Sequence, residues 1–308
     1  MAHVAYRGRL APSPTGKLHL GTARTALVAW LAARSADGAL VLRIEDIDTP
    51  RVVAGAAEAI IDDLRWLGLD WDEGPDVGGA FGPYLQSERH ARYDAALHTL
   101  QQSGRLFACT CTRAELARAS SAPHGDLGPR YPGTCRHTPT EPGRPHALRF
   151  HMPHAEPFID RVYGPQPLGE GDDFVVHRSD GLYAYQLAVV VDDLAMGITE
   201  VVRGADLLSS TPRQIALYRA LGAAPPTFAH VPLVLGEDGQ RLAKRHGAIA
   251  LSDFRARGVS PQAVIGRLAA SLAIVPTDAP VSAHELLAHF ELSRLPKAAT
   301  TVLGGSLA

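Results

Sequence analysis

Two rhythms of apolar and polar positions alternate along the chain. Residues 7–12 (RGRLAP) read as a short strand that ends at Pro12. A loop rich in Pro and Gly follows (12–22, PSPTGKLHLGT), after which Ala23, Leu27, Trp30 and Leu31 recur at helical spacing. Residues 39–44 (ALVLRI) fit a buried strand that delivers Glu45 and Asp46 at its end. Ile60, Ile61, Leu64 and Leu67 predict a second helix, and Tyr93, Leu97 and Leu100 a third. Strands alternating with helices predict an α/β fold with a parallel sheet covered on both faces.

Near residue 107 the rhythm breaks. From Cys109 to about Gly171 the chain is dense in Pro, Gly and His, which predicts an irregular insertion with short antiparallel strands. The α/β rhythm resumes at Leu187–Val191 (LAVVV), passes through a helix near residues 211–221 and reaches a strand at Val231–Leu235. After the loop GEDGQRLAKRHG, residues 251–275 and the last thirty residues look helical.

Composition narrows the function classes. Hydrophobic residues make up 46% and charged residues 20% of 308, enough apolar side chain to order the chain. No apolar run approaches the ~20 residues that span a bilayer, and MAHVAYRGRL carries no apolar signal segment. A cytoplasmic monomer is the expectation. The net charge of −2 argues against a general nucleic-acid coating protein, so any RNA must be held by local patches. Among 30 basic residues only Lys17, Lys244 and Lys297 are lysines, and two of them fall in or beside candidate motifs. Three cysteines, an odd number, do not make a disulfide framework.

Three constellations carry candidate chemistry. The first is the loop ending in His19-Leu20-Gly21-Thr22, between a strand and a helix. Free backbone N–H groups and the helix dipole favour a phosphate there, although the chain lacks the Walker A pattern. The second is Arg241-Leu242-Ala243-Lys244-Arg245, a basic loop flanked by glycines that could close over a polyphosphate. The third is Cys109-Thr110-Cys111 with Cys135. Two thiolates so spaced can share a metal, and a tetrahedral zinc site asks for a fourth ligand. His124, Tyr131 and His137 are the candidates, and ligand chemistry alone favours a histidine.

The first two constellations together resemble the paired signatures of class I aminoacyl-tRNA synthetases, usually written H-I-G-H and K-M-S-K-S. Residues 9–16 (RLAPSPTG), 42–49 (LRIEDIDT), 66–74 (WLGLDWDEG), 86–89 (QSER), 202–207 (VRGADL) and 210–214 (STPRQ) are similar to the glutamyl branch of that family, in consistent order. Thr22 stands where the general pattern has a second His, and Ala243 where it has Ser.

This resemblance implies a Rossmann-type doubly wound parallel sheet, with a zinc-bearing insertion and a small C-terminal helical subdomain. The implied division is residues 1–106 and 181–250 for the catalytic halves, 107–180 for the insertion and 251–308 for the subdomain. It implies that His19 and Lys244 stabilise charge on the phosphates of ATP, with Gly21 and Thr22 beside them and Mg²⁺ bridging the phosphates. Arg9, Leu10, Ala11, Pro12, Ser13, Glu45, Tyr185 and Arg203 are implied to contact L-glutamate. The chemistry agrees, because arginine forks suit carboxylates and an acid suits the α-ammonium. Tyr131-Pro-Gly-Thr-Cys135 resembles the family's Y-x3-C element, which implies Tyr131 as the fourth zinc ligand beside Cys109, Cys111 and Cys135.

The stretch after Lys244 is too short for a separate anticodon-binding domain, which needs about 100–150 residues. Truncated members of the glutamyl branch imply a different acceptor. Their chemistry is activation of glutamate without tRNA, then transfer to the cyclopentenediol of queuosine in the anticodon stem-loop of tRNA(Asp). The alternatives are a compact enzyme charging the 3′ end of tRNA(Glu) and a non-catalytic RNA-binding paralogue, against which His19, Lys244, Arg9 and Glu45 speak.

Overall fold

In a computed structural model the structure describes residues 5–112, 114–116, 131–137, 143–235 and 250–301. The chain opens with strand β1 (Arg7–Leu10), helix α1 (Leu20–Ser35) and strand β2 (Ala39–Leu42). β1 and β2 pair in parallel, with Leu10 opposite Leu42. Helices α2 (Ala56–Trp66) and α3 (His90–Gln102) follow. Alanine-rich α1 is a strong helix former, and its apolar side chains are almost all buried.

Short strands occupy the Pro- and His-rich stretch: β3 (Leu106–Cys109), β4 (Ala147–Phe150), β5 (His154–Ala155), β6 (Phe158–Asp160), β7 (Gly164–Gln166), β8 (Gly169–Glu170) and β9 (Phe174–His177). β3, β4 and β9 make an antiparallel sheet, and β5 pairs antiparallel with β8. β6 behaves differently. It joins β11 in parallel, with Asp160 opposite Phe228, and so belongs to the sheet of β10 and β11 although it lies within residues 107–180.

Helix α4 (Tyr185–Ala195), strand β10 (Glu200–Gly204), helix α5 (Thr211–Ala220) and strand β11 (Thr227–Val231) complete the α/β layer. Leu187–Val191, where the α/β rhythm resumes, lies within α4. A short apolar run buried on all sides has no period to tell a helix from a strand. β10 and β11 are parallel. Thr199, just before β10, ties that strand to β1: its amide donates to the Arg7 carbonyl at 2.9 Å. β12 (Val234–Leu235), α6 (Leu251–Ala256), α7 (Pro261–Ser271), α8 (Ala283–Leu286) and β13 (Thr300–Thr301) follow, and β13 pairs in parallel with β12.

Alternation along the strands sorts the interior into two cores. Leu40, Leu42, Val202 and Ala229 face one side with α1, α6, α7 and α8. Val41, Val201 and Phe228 face the other with α3, α4 and α5. The sheet is thus covered on both faces, as the strand–helix rhythm predicts. α7 is capped by Ser260, whose hydroxyl accepts from the Ala263 amide at 3.2 Å. The C-terminal helices bury Val264, Leu268 and Leu286 in the same core as α1, so they do not form a core of their own. Among the described residues no helix is long and apolar enough to cross a membrane.

Candidate active site and metal site

Parallel strands present their C-terminal ends at one edge of the sheet, where open α/β sheets bind ligands. Arg9 of β1, Glu45 just past β2, Tyr185 at the start of α4 and Arg203 of β10 all come to that edge. Glu45 is held twice: its amide donates to the Pro12 carbonyl at 3.0 Å, and Oε1 accepts from Arg43 Nη2 at 3.0 Å. Burial raises the Glu45 carboxyl above its ordinary range, against the pull of Arg43 and Arg9. An incoming ammonium would supply the missing cation. Burial likewise raises the Tyr185 phenol, with Arg203 acting against it. It lowers Arg203, with Arg9 adding like-charge repulsion.

The two arginines are not equivalent. Arg203 donates from Nε to His230 Nε2 (3.0 Å), from Nη1 to Gln214 Oε1 (2.6 Å), and from Nη2 to Thr211 Oγ1 (2.8 Å) and the Leu207 carbonyl (3.3 Å). Four of its five N–H groups are thus committed within the protein, and the guanidinium also meets the Tyr185 hydroxyl of the pocket. Arg9 donates from Nη1 to the Val202 carbonyl at 2.9 Å, while Nε stands 3.6 Å from Asp193 Oδ1. The freer fork is Arg9.

Beneath the pocket lies an ionic lattice that motif reading does not reveal. Arg43 joins Asp193 Oδ1 at 2.7 Å as well as Glu45. Asp192 accepts from Arg89 Nε (2.6 Å), Gln86 Nε2 (2.8 Å) and the Tyr93 hydroxyl (3.0 Å). Burial alone would lower Arg43, but Asp193, Asp192 and Glu45 raise it well above its usual value. The signal was present in the chain: Arg43 in ALVLRI, and Asp192 with Asp193 in LAVVVDDLA, are charges inside apolar runs, which demand buried partners.

Leu10 points into the core, so only its backbone faces the edge, and its carbonyl accepts from the Arg43 amide at 2.9 Å. Ala11 and Pro12 are half-buried, and Ser13 is exposed. His19 sits at the N-cap of α1 without a side-chain capping bond, and no acidic residue occupies the first turn. Among the described residues no side chain caps the first-turn amides, which suits them to an anion. Gly21 has nothing within 4 Å of where a Cβ would stand, so packing does not demand glycine there. Thr22 is exposed. Lys244, with the rest of residues 241–245, lies outside the described residues; Ala250, beyond it, bridges to His19.

The three cysteines converge. Their sulfur atoms lie within 4.8 Å of one another, and Cys111 Sγ is 3.5 Å from Cys135 Sγ. Four ligands at ~2.3 Å around a tetrahedral zinc would set sulfurs about 3.8 Å apart, so the donor set fits a metal. Tyr131 Oη is 3.7 Å from Cys109 Sγ and accepts from the Cys135 amide at 2.7 Å. His137 is exposed and outside the group, while His124 lies outside the described residues. Burial opposes ionisation of Cys135, yet bonds from the Thr110 backbone, Tyr131 and Cys111 bring its thiol down to about 7. Cys111 is pushed up to about 12 by burial and by Cys135.

Comparison with known proteins agrees with this geometry. The family model for tRNA synthetases class I (E and Q), catalytic domain, matches residues 5–302. The chain is 57% identical over 302 residues to a glutamyl-Q tRNA(Asp) synthetase of Symbiobacterium thermophilum, covering 94% of each. It is 49% identical over 267 residues to a glutamate–tRNA ligase of an Anaeromyxobacter species, covering 85% of this chain and 57% of that one. The crystal structure of a glutamate-tRNA synthetase from Elizabethkingia anophelis superposes with a TM-score of 0.82 at 32% identity, covering 98% of this chain and 68% of that one. With an α/β catalytic fold, an arginine–glutamate pocket at the sheet edge and a match along nearly its whole length, the chain belongs to the class I tRNA synthetases of the glutamyl and glutaminyl group.

Proposed function

We propose that the protein activates L-glutamate with ATP, without needing tRNA, and transfers the glutamyl group to the queuosine base in the anticodon loop of tRNA(Asp). The observation that carries the first step is the convergence of Arg9, Glu45, Tyr185 and Arg203 beside the first turn of α1. The high identity to a relative named glutamyl-Q tRNA(Asp) synthetase, across nearly all of both chains, supports the acceptor.

The chemistry needs no protein nucleophile. A carboxylate oxygen of glutamate attacks the α-phosphorus of ATP, and the bond to the bridging oxygen breaks as pyrophosphate leaves. A hydroxyl of the queuosine diol then attacks the acyl carbon of glutamyl-adenylate; AMP leaves, and the hydroxyl proton ends on phosphate or water. Catalysis is therefore positioning and charge stabilisation. Arg9 and Arg203 receive carboxylate oxygens, Glu45 the ammonium, and Tyr185 closes the pocket. His19, Gly21, Thr22 and Lys244 receive ATP, and Mg²⁺ with ATP neutralises phosphate charge.

Zinc, held by Cys109, Cys111, Cys135 and Tyr131, would fix the loop-rich segment and take no part in the reaction. The same reading takes residues 1–106, 107–180, 181–250 and 251–308 as four functional units, the second of which lends β6 to the sheet of β10 and β11, in a cytoplasmic monomer.

The test is an acceptor comparison. With ATP and labelled glutamate, queuosine-bearing tRNA(Asp) should take up label in its anticodon-loop fragment, and the same tRNA bearing guanosine should not. Label on the 3′ end of tRNA(Glu) instead would replace this reading with that of a charging enzyme.

A further inference from the structure

Arg203 is held by residues from three different elements, and one of them is set by a buried carboxylate. His230 of β11 accepts from Arg203 Nε at 3.0 Å through Nε2. Its other ring nitrogen, Nδ1, lies 2.6 Å from Asp160 Oδ2. Asp160 Oδ1 is itself engaged, accepting from the amides of Val162 (3.0 Å) and Tyr163 (2.9 Å). Asp160 is 1% exposed and His230 is fully buried, so water cannot substitute for either.

The proton assignment follows. A carboxylate accepts only, so Nδ1 carries the hydrogen; a guanidinium donates only, so Nε2 must present its lone pair. A proton on Nε2 would set N–H against N–H, beside a cation. We infer that Asp160 and His230 are positioning residues for glutamate: they fix the rotation of Arg203 so that the second N–H of Nη1, beyond the one given to Gln214, faces the amino-acid pocket.

The inference rests on the glutamate-activating reading above and deepens it. It gives a task to strand β6, which with β7 carries part of residues 107–180 into the sheet of β10 and β11. Thr211 Oγ1, also 3.3 Å from His230 Nε2, and Gln214 complete the cradle from α5. Removing the acceptor at Nε2 leaves the guanidinium held only through its Nη atoms, by Gln214, Thr211 and the Leu207 carbonyl, and lets it tilt. A donor held at the wrong angle loses its charged hydrogen bond, while ATP, bound at the α1 end, is unaffected.

The experiment measures glutamate-dependent ATP–pyrophosphate exchange with the full chain. In His230→Asn the side-chain amide can still donate to Asp160 but no longer reaches Arg203. The expected result is a rise of about tenfold or more in KM for glutamate, with KM for ATP within about twofold of wild type. His230→Gln, which returns an acceptor near the Nε2 position, should recover most of the loss. Asp160→Asn is the second variant should His230→Asn not fold. It keeps an acceptor for the Val162 and Tyr163 amides but turns a donor toward the ring, and should raise KM for glutamate in the same selective way. Equal shifts in both KM values, or an unchanged KM for glutamate, overturn the inference. Absence of exchange in the wild-type enzyme defeats the underlying reading instead, so the two failures are distinct.

Discussion

Arg9, Glu45 and Arg203 sit where two large cores meet across one sheet, and their neighbours are charged groups already paired to one another. Among the described residues the cysteine cluster has a small core: Cys109, Tyr131 and Cys135 are buried together, with Phe107, Cys111 and Leu116 packed against them. The pocket is thus prepared by folding of the whole catalytic layer. The described part of the cysteine segment buries little apolar surface, and under the proposed reading it depends on a bound ion. One region should fail as a unit when its lattice is cut; the other should fail alone.

The largest effect is expected at Asp193. This carboxylate accepts from Arg43 at 2.7 Å and faces Arg9 at 3.6 Å. Asp193→Ala leaves a fully buried Arg43 short of its best partner and lets Arg9 turn. The expected cost is about 3–5 kcal/mol of stability, the range for breaking a buried ion pair, with glutamate-dependent exchange abolished. Urea unfolding followed by circular dichroism measures the first and the exchange assay the second. A loss under about 1 kcal/mol, the range of a surface pair, would show that the lattice does not hold the pocket.

Cys109→Ser probes the other side of the comparison. The variant should bind well under one zinc per chain by elemental analysis, and residues 107–150 should become quickly cleaved by trypsin. Exchange with glutamate should stay within about twofold, because structural metals act on local folding. If exchange falls in step with metal content, the two regions are one cooperative unit and do not fail independently.

Lys244 sharpens the contrast further, as a residue expected to supply charge and little structure. Lys244→Ala should slow glutamate activation about 100-fold, the usual scale for losing one transition-state donor, with an unchanged urea midpoint. A shifted midpoint would give the lysine a structural task as well.

These expectations draw unequally on what the sequence made visible. Helical spacing located α1, α2 and α3, and the glutamyl-branch motifs pointed to Arg9, Glu45, Tyr185 and Arg203, which the fold gathers at one edge. The apolar run LAVVV gave no period and lies in α4. The pairing of β6 with β11 joins residues far apart in the chain, and nothing local in FID announces it. Asp160 and His230 were silent for the same reason: each reads as an ordinary polar residue until the sheet brings Arg203 beside them. Motifs record which groups touch substrate, whereas the groups that orient them are written only in tertiary contacts.

The smallest effect concerns pH and isolates one such contact. Burial lowers the His230 pKa below its ordinary value; the Asp160 hydrogen bond and charge resist this, while Arg203 and Arg9 add to it. These are the charged groups that face the ring from β6, β10 and β1. The unfolded chain takes up this proton near pH ~6.5, and the folded chain only at lower pH. Below that point the unfolded state binds more protons, so stability rises with pH: the contribution is complete above about pH 6.5 and is lost as pH falls. For Asp160, burial alone would raise the pKa, but bonds from His230, Tyr163 and Val162 lower it, so its contribution is lost in the same direction at still lower pH. Unfolding free energy of the wild type should hold level from about pH 8 to 7 and decline below about 6.5. His230→Asn removes one titrating group and should decline less steeply over that interval. The difference between the two curves cancels the other histidines, whose surroundings are the same in both proteins. Parallel curves down to about pH 5.5 would mean that His230 titrates alike in the folded and unfolded chains, and the buried link from Asp160 to Arg203 would lose its physical basis.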